Sequence, residues 1–364
     1  MVGKNPVGMR RTPLTLLLAA LLLMPASAFA SPPPIKHVFI IVLENKGFDT
    51  TFGPGSQAPY LAQTLTSQGE LLSQYYATGH ASLDNYISMV SGQAPAIVTQ
   101  ADCPFYTDLL PGLIGSDGQA IGQGCVYPAT VKTVADQLGA KGLSWRGYME
   151  DMASNCEHPA FNSLDQTQNA TAASQYAARH NPFVYFHSLI DSGACAANDV
   201  PLGQLDSDLG SAATTPNLAF ITPDLCHDAH DSSCADGGPG GLPAANSFVQ
   251  TWVPKITGSP AWGEGSLLIV TFDEADTGDT SSCCGETPGP NSPNPGGTTQ
   301  GNGGGRVGAV LVSQFVQPGS TNATPYNHYS LLRSIEDIFG LGHLGFAAKS
   351  DLQAFGPDVY NAAP

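Results

Sequence analysis

Three strongly apolar stretches of this chain end in acids. "HVFIIVLEN" runs into Glu44 and Asn45, "LLIVTFDEAD" into Asp273 and Glu274, and "LAFITPDLCHDAHD" into Asp224, His227, Asp228, His230 and Asp231. Carboxylates gathered in one place repel each other, and a proton or a cation must relieve them. Oxygen donors mixed with imidazoles suit divalent Mg, Mn, Ca or Zn. A single Asp after a strand is ordinarily a turn or cap residue, but three such ends point to a metal site. A fourth stretch, "TGHASLDNYISMVSG", offers a nucleophile. Ser82 precedes a helical period beginning near Asn85, which puts its oxygen at the positive helix end, where backbone N–H groups hold a phosphate or an oxyanion. The bland alternative for Ser82 is a helix cap. His80 reads as a general acid, a ligand or a surface histidine. His328, just before "YSLLRSIEDIFGL", reads as a ligand or a capping residue, and Arg333 with Glu336 as a surface pair. His180, before Asn181-Pro182 in "ARHNPFVYF", has no evident role.

These residues need a frame that brings them together. The runs "HVFIIVLE", "LAFITPD", "GSLLIVTFDEAD" and "VGAVLVS" are too apolar for strands with one solvated face. Helical periods occur in "PYLAQTLTSQG", "NYISMVSG", "TVADQLGAKG" and "HYSLLRSIEDIFGL". The alternation predicts an α/β fold with a mostly parallel central sheet and helices on both faces. In such sheets ligands sit beyond the carboxyl ends of the strands, so the three acidic ends would converge on one crevice. "WRGYMEDM", at 145–152, reads as core. Residues 278–306 are rich in Gly, Pro, Ser and Thr, lack an apolar period, and read as a long loop beside the site.

The first thirty residues read as a secretory leader. Arg10 and Arg11 precede an apolar run too short to span a bilayer, and Ala28-Phe29-Ala30 gives a small-residue cleavage site. The expected organisation is a signal peptide over 1–30 and a single domain over 31–364. That domain would be secreted or periplasmic, with no transmembrane anchor after cleavage. Three of the thirteen basic residues, Lys4, Arg10 and Arg11, lie in the leader, leaving ten against thirty acids. Such a balance argues against nucleic acid and anionic membrane surfaces as partners. All eight cysteines lie beyond the leader, and an oxidising compartment favours disulfides. Cys103–Cys125, Cys156–Cys195 and Cys226–Cys234 would close modest loops, while adjacent Cys283 and Cys284 could pair with each other only under strain.

Taken together, the segments "LENKGFDTTFG", "GHASLDNYISMVSG", "YMEDM", "RHNPFVYF", "ITPDLCHDAHD", "IVTFDEAD" and "YNHYSLLRSIEDIFGL" resemble the bacterial phosphoesterase family of secreted acid phosphatases and non-specific phospholipases C. Within that family the chain resembles members related to secreted phosphatidylinositol 3-phosphatases. The resemblance implies an alkaline-phosphatase-like fold and one or two divalent metal ions. It implies Glu44, Asn45, Asp273 and Glu274 as ligands of the ion beside Ser82. Asp224, His227, Asp228 and His328, with His230, would form a second metal site or bind the phosphate. Asn85 would hydrogen-bond a phosphoryl oxygen, and His80 or His230 would protonate the leaving alcohol. Two positions depart from the family pattern: Asp84 replaces the usual Pro of Ser/Thr-x-Pro-Asn, and Gly47 stands where Ser is common. The implied activity is hydrolysis of phosphate monoesters, extending to phosphoinositide head groups, through a phosphoserine. The rival readings are a phospholipase C acting on phosphodiesters and a non-catalytic binding protein.

Overall fold

In β1 (His37–Leu43) every residue is buried. Successive side chains of a strand point to opposite faces, so both faces of the sheet are covered here. The computed structural model describes residues 1–4, 8, 31–297 and 301–362. The apolar run and cleavage site of the expected leader lie outside the described residues, as do 298–300 of the long loop. Besides β1, the main sheet contains β2 (Glu70–Leu72), β3 (Trp145–Met149), β4 (Asp199–Pro201), β5 (Leu218–Thr222), β6 (Ser266–Phe272), β7 (Ala309–Ser313) and β8 (Ser320–Asn322). Across the sheet the order is β8-β2-β7-β6-β1-β5-β3-β4.

β1 lies between β5 and β6 and is parallel to both. β3 and β4 continue the parallel half, while β7 runs antiparallel to β6 and β2. The sheet is therefore mostly parallel, as the run of wholly apolar strands predicts. Register positions the acids at the strand ends: Leu43 pairs with Phe272, so Glu44 and Asp273 leave the sheet side by side. The stretch "WRGYM" proves to be a parallel strand, β3, next to β5.

Among the described residues four helices are longer than the rest. They are α1 (Ser82–Ser91), α2 (Val134–Ala140), α3 (Gly241–Thr257) and α4 (His328–Phe339). The first turn of α2 is fixed by a reciprocal cap between Thr133 and Asp136. α4 starts where the Asn327 side chain accepts from the Ser330 N–H, and it ends at Gly340 in the left-handed region (φ 61°). Its Leu331, Leu332, Ile335 and Phe339 are buried, and it packs against α1. Arg333 and Glu336 do not pair on its surface. Arg333 donates to the carbonyls of Ala347 and Lys349, while Glu336 is fully buried and accepts from the Leu344 N–H. The chain after α4 folds back over these two side chains and takes both. α3, at 17 residues, has no counterpart among the helical periods read from the sequence. Its Gly-Leu-Pro opening and Pro254 obscure the pattern.

From Ser31 onward the described residues form one compact unit. Four disulfides close within it: Cys103–Cys125, Cys156–Cys195, Cys226–Cys234 and the adjacent Cys283–Cys284. The Gly-rich loop is tied down where it passes the site. Ala77 N–H donates to the Gly305 carbonyl, and Gly304 N–H donates to the Ala77 carbonyl. A side chain at Gly304 would come within 2.0 Å of the Gly79 carbonyl oxygen, so only glycine permits this approach. Among the described residues no helix is long and apolar enough to cross a membrane.

Candidate active site

Parallel pairing carries β1, β5 and β6 to a common edge, and their acidic ends meet there. Asp273 N–H donates to the Leu43 carbonyl, and Glu44 N–H to the Asp228 carbonyl. Asn45 takes a left-handed conformation (φ 58°), which Asn tolerates better than most residues. That turn aims its N–H at Asp273 Oδ1, 3.0 Å away, and its Nδ2 at Glu44 Oε2, 3.2 Å away.

Ser82 is the first residue of α1; the capping position is held by Ala81, with no side-chain cap. The Ser82 hydroxyl donates instead to Glu44 Oε2 at 2.9 Å. The cap comes from another loop: Leu83 N–H donates to Asp102 Oδ1 at 2.9 Å. Asp102 can reach because it sits in a left-handed turn (φ 57°) just before Cys103 of a disulfide. One N–H of the helix end is therefore already taken by a carboxylate.

His180 completes the cluster. Its Nε2 lies 3.3 Å from Glu44 Oε1 and its Nδ1 3.1 Å from Asp228 Oδ2. All three side chains are buried, yet none of these four atoms has an aligned hydrogen-bond partner. The His180 ring stacks on Tyr86 of α1, with centroids 5.5 Å apart. Asn181 beside it donates to Tyr176 Oη and Asp199 Oδ2, which fixes the loop. Burial, then Arg179 and His230, hold His180 well below the usual histidine range, so its imidazole is neutral and able to ligate. Burial, with Asp273 and then Asp228 alongside, pushes Glu44 well above the ordinary carboxylate range. Asp273 rises to about 6, chiefly through burial.

Glu44, His180 and Asp228 place one donor atom each within 4.8 Å of the others. Asp273 Oδ2 is buried close by without a hydrogen-bond partner. Orphaned buried oxygens beside a neutral imidazole are what a divalent cation satisfies, so these residues fit a metal. A second group of orphans flanks the first. Glu274 Oε2 lies 3.3 Å from His80 Nδ1, and both oxygens of the fully buried Asp84 lack partners. Asp84 is pushed well up by burial and then by Glu274. His80 Nε2 faces the Asp279 carbonyl oxygen at 2.6 Å, which ties it to the Gly-rich loop.

The remaining expected ligands are placed differently. Asp224 Oδ1 accepts from the Cys226 and His227 N–H groups, closing a turn. His227 pairs with Glu150 Oε2 at 3.0 Å and with Asp224, and these partners raise it to about 10. Its Nδ1 is engaged by these two carboxylates. His328 is buried with both nitrogens engaged, Nδ1 with Tyr75 Oη at 3.0 Å and Nε2 with the Asp273 carbonyl at 2.6 Å. It braces the Asp273 backbone. The Asn85 amide is also used internally: Oδ1 accepts from Thr78 and Gly79, and Nδ2 donates to the Gly79 and Ala81 carbonyls. It shapes the turn that presents Ser82.

Arg179 was not legible as a site residue. Its guanidinium is buried, donates to the Gln168 carbonyl, and lies 3.2 Å from His230 Nε2 and 3.9 Å from Asp102 Oδ2. Its neighbour His180 stands out in the sequence only for preceding Asn-Pro. At Gly47 a side-chain carbon would come 3.0 Å from Asp276 Oδ2, which accepts the Gly47 N–H.

The chain belongs to the Phosphoesterase family, whose pattern it matches over residues 54–342. It is 25% identical to a probable acid phosphatase of Kluyveromyces lactis over 85% of this chain and 59% of that protein. It is also 25% identical to a phosphatidylinositol-3-phosphatase of Mycobacterium tuberculosis, over 89% of this chain and 83% of that one. The chain thus spans little more than half the length of the fungal acid phosphatases it matches. Among solved structures it overlaps Ps i-CgsB in complex with k-i-k-neocarrahexaose (TM-score 0.50, 12% identity, 89% of this chain and 76% of that one). Another neighbour is a protein in the alkaline phosphatase superfamily from Vibrio parahaemolyticus (TM-score 0.49, 12% identity, 85% and 67%).

Proposed function

We propose that this member of the Phosphoesterase family hydrolyses phosphate monoesters with Ser82 as nucleophile. The observation that carries the reading is the 2.9 Å hydrogen bond from Ser82 Oγ to Glu44 Oε2 at the first turn of a helix. A nucleophilic hydroxyl needs an adjacent acceptor for its proton and positive potential at the attacked phosphate. Glu44 Oε2 is that acceptor, and the end of α1 with the buried Arg179 supplies potential.

Ser82 Oγ attacks phosphorus as its proton passes to Glu44 Oε2. The bond from phosphorus to the alcohol oxygen breaks in line, and that oxygen takes a proton from His230 or His80. Water then attacks phosphorus and passes a proton to the imidazole that served as acid, Glu44 returns its proton to the departing Ser82 oxygen, and inorganic phosphate is released. Glu44, His180, Asp228 and Asp273 would hold a divalent cation, which when bound supplies positive charge against the phosphate oxygens and lowers the pKa of the serine hydroxyl. The names of the similar proteins support phosphate monoesters as substrates, and that of the M. tuberculosis protein supports a phosphoinositide. Four disulfides support an oxidising, extracytoplasmic compartment. The test is turnover of p-nitrophenyl phosphate against its choline diester, in the wild type and in Ser82→Ala. The monoester should be preferred, and the variant should lose at least about 10³-fold in kcat. Turnover of the diester alone, or full activity without the Ser82 hydroxyl, would refute the reading.

A further inference from the structure

A groove of about 560 Å³, within the usual range of ligand pockets, has His230 in its wall, and the His230 ring lies 5.9 Å from that of His180 in the cluster. Its lining includes Lys46, Thr50, Gln57, His230, Ser232 and the start of α3. In a chain with 30 acidic residues against 13 basic ones, none of the lining residues is Asp or Glu. Lys46 is two residues beyond Glu44, and His230 two beyond Asp228, so the groove wall is continuous along the chain with two residues of the cluster. Between Asp228 and His230 the chain turns at Ala229, which holds an uncommon left-handed conformation (φ 86°). That turn sends Asp228 to the cluster and leaves His230 on the groove wall. The Lys46 ammonium is anchored there, donating to the Asn45 and Ala229 carbonyls at 3.1 and 3.0 Å. α3 begins at the same wall with no side-chain cap and no acid in its first turn, and its Gly241 N–H donates to the Asp231 carbonyl.

We propose that this groove binds a second anionic group carried by the alcohol portion of the substrate. The inference rests on the phosphomonoesterase reading and deepens it. The substrate class becomes a polyol that bears the scissile phosphate and another phosphate a few bonds away. Thr50 Oγ1 donates to Asp276 Oδ2 and His230 Nδ1 faces Asp231 Oδ1, so acids stand behind two lining residues. Lys46 is the one Lys or Arg among those that line the groove. That charge would do little for a simple monoester, whose one phosphate sits at Ser82. For a doubly anionic substrate it offsets the repulsion of an otherwise acidic protein. The second phosphate has two sources, a free sugar bisphosphate or the phosphodiester of an inositol lipid head group. Both present the same anion to Lys46.

The test compares kcat/KM for fructose 1,6-bisphosphate against fructose 6-phosphate, and for a short-chain phosphatidylinositol 3-phosphate against inositol 3-phosphate. At least one doubly anionic member should be preferred about tenfold or more, and the pair showing it identifies the source. Lys46→Met should erase most of that preference through KM and leave p-nitrophenyl phosphate unchanged. Because Lys46 also holds the Ala229 carbonyl, Gln57→Glu provides an independent variant: it adds a carboxylate to the groove and should act in the same direction. Equal kcat/KM within both pairs, or variants that depress all substrates alike, would overturn the proposal. Calorimetric binding of fructose 1,6-bisphosphate and of the short-chain lipid to Ser82→Ala protein, with and without Lys46→Met, separates the groove from the nucleophile. If turnover survives without the Ser82 hydroxyl, the catalytic reading fails, while a loss of binding on Lys46→Met still supports the groove. Unchanged binding of both ligands sinks it.

Discussion

Asp199 is fully buried at the edge of the sheet, and its Oδ2 accepts from Asn181 Nδ2 at 2.7 Å while Oδ1 has no partner. Burial raises it from an ordinary value of 3.8 to about 8, and the Asn181 bond offsets only part of that. A carboxylate raised in the folded state binds its proton more tightly there than when unfolded. Its contribution is therefore fully present below about pH 4 and is lost as pH climbs towards 8. Within that window the loss is about 1.4 kcal/mol per pH unit, or roughly 3 kcal/mol between pH 5 and pH 7. Asp199→Asn keeps an oxygen for Asn181 and removes the titration. The difference in stability between variant and wild type should grow in favour of the variant by that amount from pH 5 to pH 7. For a domain of this size it corresponds to roughly 4 °C in Tm. Thermal unfolding of both proteins at half-unit pH steps measures it, with wild-type Glu70 and Glu336 common to both and cancelling. Parallel Tm profiles would show that Asp199 does not titrate there and that burial has not raised its proton affinity.

Other perturbations probe the site. His180→Gln should lower kcat by about 10²-fold or more with little change in Tm, because it removes the imidazole between Glu44 and Asp228 while Asn181 still fixes the loop; steady-state kinetics and thermal unfolding together check it. Asp102→Ala removes the cap of α1 and should cost about 1 kcal/mol, whereas Asp102→Asn should retain most of that stability; denaturant titration distinguishes them. Dialysis against a chelator should abolish monoester turnover, and calorimetric binding of a divalent ion should be lost in Glu44→Gln even where activity is not measured. Gly304→Ala should destabilise the loop against Gly79 and raise local proteolytic sensitivity, since its side chain would meet a backbone oxygen at 2.0 Å.

Much of the frame was readable because it depends on strong local patterns. Wholly apolar runs marked β1, β5, β6 and β7, and the acids at the ends of the first three carry Glu44, Asp228 and Asp273 to one edge. The helical period after Ser82 located α1, and loop-closing cysteine spacing located the disulfides. What the patterns could not show is reach across the fold. Asp102 caps the helix from a position 19 residues beyond Leu83, in a turn with no periodic signal. Arg179 and His180 enter from a short irregular segment whose closure on Glu44 depends on Asn181, Asp199 and Tyr176. Conversely, His328, His227 and Asn85 have the right chemistry for ligands, but their polar atoms are engaged with Tyr75, Glu150 and the Thr78–Gly79 turn. A sequence offers donor types and order; which lone pairs remain unused is a property of the packed structure.

The mechanism stands or falls on whether Ser82 Oγ becomes covalently bonded to phosphorus during turnover. The stereochemical course at phosphorus reports on that bond, using a monoester made chiral with oxygen isotopes and trapping the transferred phosphoryl group on an acceptor alcohol. Two in-line displacements, first by Ser82 and then by the acceptor, predict overall retention. Inversion would mean that the acceptor attacks the substrate directly and that no phosphoserine forms.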